Sequence, residues 1–173
     1  MSVPFKALRF AASVLILGGF IVAVPAARSA TIAWTDWTSV VAGNPGSATG
    51  TIALSPAITV SYAGQTNGRL TNYPSWTPVS TFSGGSVSNA PPASDNSIQL
   101  VGGTSATNTI TFSSPVTDPI MAIWSLGAPS ASASFVFTAA EPFTLESGGP
   151  SAEYGGRSIT VSGDTVTGSE GME

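Results

Sequence analysis

Apolar and polar residues alternate at every second position in several short segments of this chain. In TITF (109–112) the isoleucine and phenylalanine fall on one side of an extended backbone and the two threonines on the other, and ITVSY (58–62) follows the same pattern. Because successive side chains of a β-strand point to opposite faces, this period predicts strands with one buried and one exposed face. We expect further strands at GTIAL (50–54), SIQL (97–100), ASASFVFT (131–138), PFTLE (142–146), RSITV (157–161) and DTVT (164–167).

Clusters of glycine, proline, asparagine and serine separate these segments, as in AGNPGS (42–47), LGAPS (126–130) and SGD (162–164). Such residues favour reverse turns, and the chain is rich in Ser, Thr and Val, with little Leu, Lys or Glu to support helices. The sequence therefore predicts an all-β fold, an antiparallel β-sandwich of jelly-roll type with about eight to ten short strands.

One segment departs from the alternation. PIMAIWSL (119–126) is apolar at consecutive positions, as in a strand buried on both faces, so we expect it to run through the middle of a sheet. Its Trp124 is expected in the core. Trp34, which alternates with Ile32, is expected there as well.

The first thirty residues differ from the rest. Lys6 and Arg9 precede an apolar run over residues 10–27, and small residues follow where a signal peptidase cuts. This pattern predicts a secretory signal peptide over residues 1–29 and export of a single domain over residues 30–173. The alternative is an uncleaved membrane anchor, because the run approaches the roughly 18 residues that a spanning helix needs.

Cleavage would leave a strongly acidic chain. Only Arg69 and Arg157 remain as basic residues against nine acidic ones, a net charge of −7. No basic cluster is available to neutralise phosphates, so nucleic acid is excluded as a partner and an anionic membrane surface is disfavoured.

The chain has no histidine and no cysteine. This excludes a Ser-His-Asp triad, a cysteine nucleophile and the usual zinc sites. A glycosidase needs two carboxyl groups across a sugar, and no spacing marks such a pair. The sequence therefore predicts a protein that is not an enzyme and carries no cofactor. The carboxylates considered for a hydrolase are Asp95, Asp118, Glu141, Glu146, Glu153 and Asp164.

Calcium is the ion that the available oxygen ligands would suit. Asn89 and Asp95 stand in one loop, NAPPASD (89–95), and are the candidate ligands. The alternative is that both residues form turns by bonding nearby backbone, with Pro91 and Pro92 making a rigid corner, and the absence of an Asp-x-Asp pattern favours it.

Two aromatic residues are candidates for stacking on sugar rings. Tyr73 and Trp76 lie in an irregular region, residues 64–97, where prolines surround them and exposure is expected. Short edge strands at residues 79–82 and 86–88 would divide this region. The alternative role for both rings is to cap one end of the sandwich.

Several longer phrases resemble a group of secreted bacterial proteins that end in a PEP-CTERM sorting signal handled by an exosortase. The resemblance spans the part of the chain that follows the leader, and its phrases are TDWTSVVAGNPGSATGTI (35–52), VSYAG (60–64), YPSWTP (73–78), GGSVSNAPPASDNSIQLVGG (84–103), NTITFSSPVTDPIMAIWSLG (108–127), EPFTLESGGPS (141–151) and GDTVTGSEG (163–171). It implies an exported, non-enzymatic envelope or extracellular-matrix protein with a structural or adhesive role, whose partners are extracellular polysaccharide or other envelope proteins. A carbohydrate-binding module is the alternative, and a carboxylate-based hydrolase ranks below it.

The sorting signal of that group has no counterpart in this sequence, so exosortase is expected as a partner only of a longer gene product. The group's pattern also continues into further strands. We therefore expect an open sheet edge beside Thr165–Thr167, where a missing strand would pair.

Overall fold

The computed structural model describes residues 31–71, 76–92, 97–100, 106–127, 131–138, 143–146 and 159–169. The expected signal peptide, residues 1–29, lies outside them. No helix in the described part of the chain is long and apolar enough to cross a membrane. The strands are β1 (Thr35–Val41), β2 (Gly43–Ile52), β3 (Ile58–Thr66), β4 (Gly68–Leu70), β5 (Ser97–Gln99), β6 (Thr109–Phe112), β7 (Ser132–Val136), β8 (Thr160–Ser162) and β9 (Thr165–Ser169).

These strands form three antiparallel sheets. The largest has the order β1-β2-β3-β6, the second consists of β4 and β5, and the third has the order β7-β9-β8. The predicted all-β fold and antiparallel β-sandwich are confirmed. The first three strands follow one another as a meander, so the chain needs only short connections to build most of the largest sheet.

The centre of the largest sheet is β3, and its side chains alternate as predicted. Ile58, Val60 and Tyr62 are buried, whereas Thr59 and Ser61 between them are exposed. On the buried face, β2 places Ala48 beside Tyr62, Gly50 beside Val60 and Ile52 beside Ile58. The two small neighbours leave room for the side chains of Tyr62 and Val60 in the core.

Hydroxyl side chains cover the opposite face of this sheet. Ser39, Thr49, Ser61 and Thr111 pair in register across all four strands, and each of them is exposed. The β7-β9-β8 sheet repeats the arrangement with Ser134, Thr167 and Thr160, and the hydroxyls of Ser134 and Thr167 lie 2.7 Å apart. Threonine favours strands, so the chain can cover its outer faces with hydroxyls and few charges.

The expectation of an open edge beside Thr165–Thr167 is wrong. These residues belong to β9, which pairs with β7 on one side and with β8 on the other. Strands β8 and β9 form a hairpin across a two-residue loop, Gly163 and Asp164, and this loop is where the sequence predicts a turn.

The prediction of a central strand at residues 119–126 is also wrong. The segment has no strand pairing, and its Met121 is 43% exposed. Positive φ angles at Asp118 (47°) and Ser125 (55°) bend the backbone at both ends of it. Trp124 is half-buried rather than enclosed, as are Ile32 and Trp34. The apolar run is therefore partly buried, and it lies outside the strand ladders.

The end of this segment packs on the third sheet. The carbonyl group of Leu126 lies so close to Gly168 of β9 that a Cβ atom at that position would collide with it. A glycine in β9 therefore permits the close approach.

Three further strand predictions are wrong. Residues 143–146 carry no strand, although Phe143 packs against Phe137 with ring centroids 4.4 Å apart. Residues 79–82 contain a 3₁₀ helix, Val79–Thr81, instead of an edge strand. The 86–88 segment contributes only an isolated bridge between Gly84 and Val87, where two backbone hydrogen bonds close a tight turn.

Candidate functional site

The indole ring of Trp76 belongs to the core. It is 8% exposed, so the expectation of an exposed ring is wrong. The Trp76 ring packs on Phe82 edge to face, with 5.3 Å between the ring centroids and 86° between the ring planes. Val87, at the closing end of the turn, is buried as well. The ring is therefore buried and packs on a second aromatic ring from the same irregular region. Tyr73, the other candidate for sugar stacking, lies outside the described residues.

The buried Nε1–H group of Trp76 has no hydrogen-bond partner within the described residues. A buried donor without an acceptor costs about 1–3 kcal/mol. The packing on Phe82 is the contact that the described residues give this ring.

Asn89 acts as a clamp on a distant backbone. Its Oδ1 accepts a hydrogen bond from the Ile32 amide (2.8 Å), and its Nδ2 donates to the Ile32 carbonyl (3.0 Å). The Ser88 hydroxyl donates to the same Oδ1 (3.0 Å), and the Trp34 indole donates to the Asn89 carbonyl (3.3 Å). We call the contacts between Asn89, Ile32 and Trp34 the Asn89 clamp.

The hydrogen bonds of the Asn89 clamp compete with calcium binding at this residue. Oδ1 of Asn89 already accepts two hydrogen bonds, so a metal ion at this atom would have to displace the Ile32 amide or the Ser88 hydroxyl. Asp95, the other candidate ligand, lies outside the described residues. Asn89 does bond backbone, as the turn-forming alternative requires, but that backbone lies 57 residues away in the sequence.

A polar junction joins the largest sheet to its neighbours. The Tyr62 hydroxyl lies against Asn108 Oδ1 (2.6 Å) and against the Gln65 carbonyl, and the Gln65 amide also donates to Asn108 Oδ1 (3.1 Å). Burial raises the pKa of the Tyr62 hydroxyl, which keeps it a proton donor. Asn108 reaches this position because Gly64 has no side chain. A Cβ at Gly64 would collide with Asn108.

Thr66 continues the junction toward β4 and β5. Its hydroxyl lies 3.0 Å from the Gln99 carbonyl and 3.2 Å from the Gly68 carbonyl, and it accepts a hydrogen bond from the Gly68 amide (3.2 Å). Thr66 is almost fully buried. This junction was not predicted from the sequence, whose one signal for it is the polar run GQTNG (64–68) at the end of an alternating strand.

Glu146 fixes the turn that follows Phe82. Its carboxylate accepts hydrogen bonds from the Ser86 hydroxyl (2.7 Å) and the Ser86 amide (3.3 Å). Both bonds favour the ionised form and hold the pKa of the Glu146 carboxyl below its ordinary value, the hydroxyl contributing most. A lowered pKa keeps this carboxyl group ionised and makes it a weaker base, whereas a general acid must hold its proton near neutral pH.

Arg69 connects β4 to the outer side of β1. Its Nη1 donates to the Trp37 carbonyl (2.7 Å) and to the Thr38 carbonyl (3.0 Å). Thr38 is the extra residue of a bulge in β1, since the register with β2 shifts between Trp37 and Ser39. A single cationic group therefore binds two adjacent carbonyl groups at an irregular point of the strand.

These side chains connect separate segments of the chain. Trp76 does so by packing, and Asn89, Glu146 and Arg69 do so by hydrogen bonds to residues that are distant in the sequence. Within the described residues, no group of three acidic side chains is placed to hold a metal ion. Comparison with known proteins found no matching family model, no matching curated protein and no matching solved structure.

Proposed function

We propose that this chain is an exported, non-enzymatic protein of the cell envelope or extracellular matrix, with a structural or adhesive role. The observation that carries the proposal is the row of exposed hydroxyls that crosses all four strands of the largest sheet, Ser39, Thr49, Ser61 and Thr111. Apart from Asp36, the exposed side of these strands carries no charge in the described ranges.

A neutral face of this kind suits a neutral, hydrated partner. Hydroxyl groups both donate and accept hydrogen bonds, so they can exchange water for the hydroxyls of a polysaccharide without desolvating a charge. Such contacts are individually weak. Adhesion would therefore depend on many such contacts made at the same time, and a matrix that holds many copies of the protein supplies them.

The contacts of the candidate site residues support a structural role. Asn89 and Glu146 are engaged with distant backbone and with Ser86, and Trp76 is enclosed. Side chains used in this way stabilise a fold. The export part of the proposal draws on the leader-like residues 1–29 and on the resemblance to PEP-CTERM proteins.

Export is tested by expressing the full chain with an epitope tag after residue 173 and fractionating the cells. We expect to find the tagged protein outside the cytoplasm. N-terminal sequencing of that protein should show that the leader has been removed. Full-length protein confined to the cytoplasm would contradict the proposal.

Adhesion is tested by retention on the extracellular polysaccharide of the producing cell. We expect the combined change Thr49→Val, Ser61→Ala and Thr111→Val to lower retention, because it removes three hydroxyls, while valine keeps a strand-forming side chain at two of the positions. The matched control, Thr160→Val with Thr167→Val, makes a similar change on the third sheet and should retain binding. Equal retention by all three proteins would count against the hydroxyl row.

A further inference from the structure

Asn67 and Gly68 connect β3 to β4, at the one place in the chain where a glycine directly follows an asparagine. Asn67 is exposed, so water reaches its side-chain amide. Gly68 has a φ of 141°, a positive value that favours glycine, and a Cβ at this position would meet open space. The backbone therefore selects glycine at position 68, and no side chain shields the nitrogen that follows Asn67.

An asparagine that precedes glycine can lose ammonia through attack by its own backbone, one reason that asparagine is a thermolabile residue. The amide nitrogen of Gly68 would attack Cγ of Asn67 and close a five-membered succinimide ring. The side-chain nitrogen of Asn67 leaves as ammonia and takes up the proton that the Gly68 amide gives up. Water then opens the ring at one of its two carbonyl groups, and the product is aspartate or isoaspartate.

Hydrogen bonds hold both reacting groups in the folded protein. The Gly68 amide donates to the Thr66 hydroxyl (3.2 Å), and the Asn67 amide donates to the Gln99 carbonyl (2.7 Å). The Gly68 nitrogen must lose its proton in order to attack, and Thr66 binds that proton. Ring closure also requires this nitrogen to turn toward Cγ, whereas the pairing of Gly68 with Gln99 fixes its backbone.

We propose that Asn67 is a site of spontaneous deamidation, and that the Thr66 hydroxyl and the pairing of β4 with β5 slow the reaction in the folded protein. The reaction then proceeds from a locally opened state in which the Gly68 amide is released. Strands β4 and β5 have three residues each and form a sheet of two strands. A sheet of this size has little stability of its own, so it opens more readily than the whole fold.

Both products change the region around β4. Aspartate at position 67 adds one negative charge two residues away from Arg69, the only basic residue in the described ranges. Isoaspartate also lengthens the backbone by one methylene group before Gly68, which moves the Gly68 amide away from Thr66 and disturbs the register of β4 against β5.

The test follows deamidation of the full chain at mildly alkaline pH, once in buffer and once in guanidinium chloride. Mass spectrometry of proteolytic peptides identifies the modified residue, and ion exchange separates the product, which carries one more negative charge. We expect modification of Asn67 in both samples. The rate should be at least about tenfold lower in the folded protein, because the reaction there waits for local opening.

Thr66→Val keeps the branched shape of the side chain and removes the acceptor of the Gly68 amide. We expect deamidation of the folded variant to be roughly fivefold faster than in the unchanged protein, and the rate in guanidinium chloride to be the same. Thr66→Ser restores the hydroxyl and should slow the reaction again. The comparison of folded with unfolded unchanged protein still tests the proposal if Thr66→Val does not fold.

Asn89→Ala is the matched control for a general loss of stability, because the hydrogen bonds it removes go to Ile32 and leave Asn67 untouched. Its folded form should deamidate at the rate of the unchanged protein. Gly68→Ala places a side chain beside the attacking nitrogen and should slow the reaction in guanidinium chloride.

Three results would overturn the proposal. An Asn67 amide that persists in guanidinium chloride would exclude the site. Equal rates in the folded and the unfolded protein would show that the structure does not restrain the reaction. Acceleration by Asn89→Ala as large as that by Thr66→Val would assign the effect to overall stability instead of the Thr66 hydroxyl.

Discussion

The side chain of Asn89 bonds both backbone polar groups of Ile32, accepting from the amide at 2.8 Å and donating to the carbonyl at 3.0 Å. A neighbouring strand would offer the same donor and acceptor. One amide side chain therefore takes the place of a strand for the segment that leads into β1. The two residues are 57 positions apart, so the contact fixes how the loop before Pro91 lies against the start of the largest sheet.

Replacing Asn89 by alanine should lower the free energy of unfolding by about 1–3 kcal/mol, because two part-buried backbone groups lose their partners. Asn89→Asp should be about as harmful, since it places an acceptor against the Ile32 carbonyl. Urea denaturation gives the measurement. Ser88→Ala serves as the control, because it removes one exposed hydrogen bond to Oδ1 and should cost less than either. An Asn89→Ala protein as stable as the Ser88→Ala protein would contradict the clamp.

The sequence predicted some local structure correctly and some wrongly: residues 43–47, expected in a turn, belong to β2. The alternation in residues 58–62 correctly identified which side chains of β3 are buried, because the period of two is a property of the strand itself. The apolar run at 119–126 misled, because burial does not require a hydrogen-bonded ladder. The partner of Asn89 could not be predicted, since nothing near position 89 indicates a contact with Ile32.

The wrong expectation for Trp76 has a similar cause. Prolines around a tryptophan indicate a loop, but they do not say whether the loop folds over the ring. In this chain the 3₁₀ helix at Val79–Thr81 turns the backbone between the two rings, so that Phe82 reaches the indole.

A side chain at Gly64 should disrupt the polar junction. Gly64→Ala would push its Cβ into Asn108, which holds the Tyr62 hydroxyl and the Gln65 amide, and overpacking of this kind costs about 1–3 kcal/mol. Gly68→Ala is the matched control. Its φ of 141° is close to the 156° of Gly64, but its Cβ would meet open space. Thermal unfolding should therefore show a larger loss of stability for Gly64→Ala, and equal losses would show that the collision is unimportant.

The bond between Ser86 and Glu146 predicts a pH dependence. Because the pKa of Glu146 is lowered in the folded protein, its ionised carboxylate stabilises the fold above the ordinary glutamate pKa of about 4.3. This contribution is lost as the pH falls through the lowered folded value. We therefore expect Ser86→Ala to reduce the melting temperature at pH 7 and to have less effect below about pH 4.

Carbon-13 NMR of the glutamate carboxyl groups should also show the Glu146 pKa moving up in Ser86→Ala. The control is Thr38→Val, which removes an exposed hydroxyl that donates to the Thr49 carbonyl (3.2 Å). Its effect on stability should not vary with pH. A Glu146 pKa that is the same with and without the Ser86 hydroxyl would exclude this account.

Two substitutions of Trp76 separate its packing from its polar atom. Trp76→Ala should lower the free energy of unfolding by about 3–5 kcal/mol, because it empties the space against Phe82 and leaves a cavity. Trp76→Phe keeps a ring in contact with Phe82 and removes the Nε1–H group, which has no acceptor among the described residues. It should therefore cost much less than Trp76→Ala, since the loss of volume is offset in part by removal of a buried, unsatisfied donor. Trp76→Phe also tests the carbohydrate-binding alternative. If this variant keeps its stability but is no longer retained on polysaccharide, the indole contacts sugar. Unchanged retention supports a ring that caps the core.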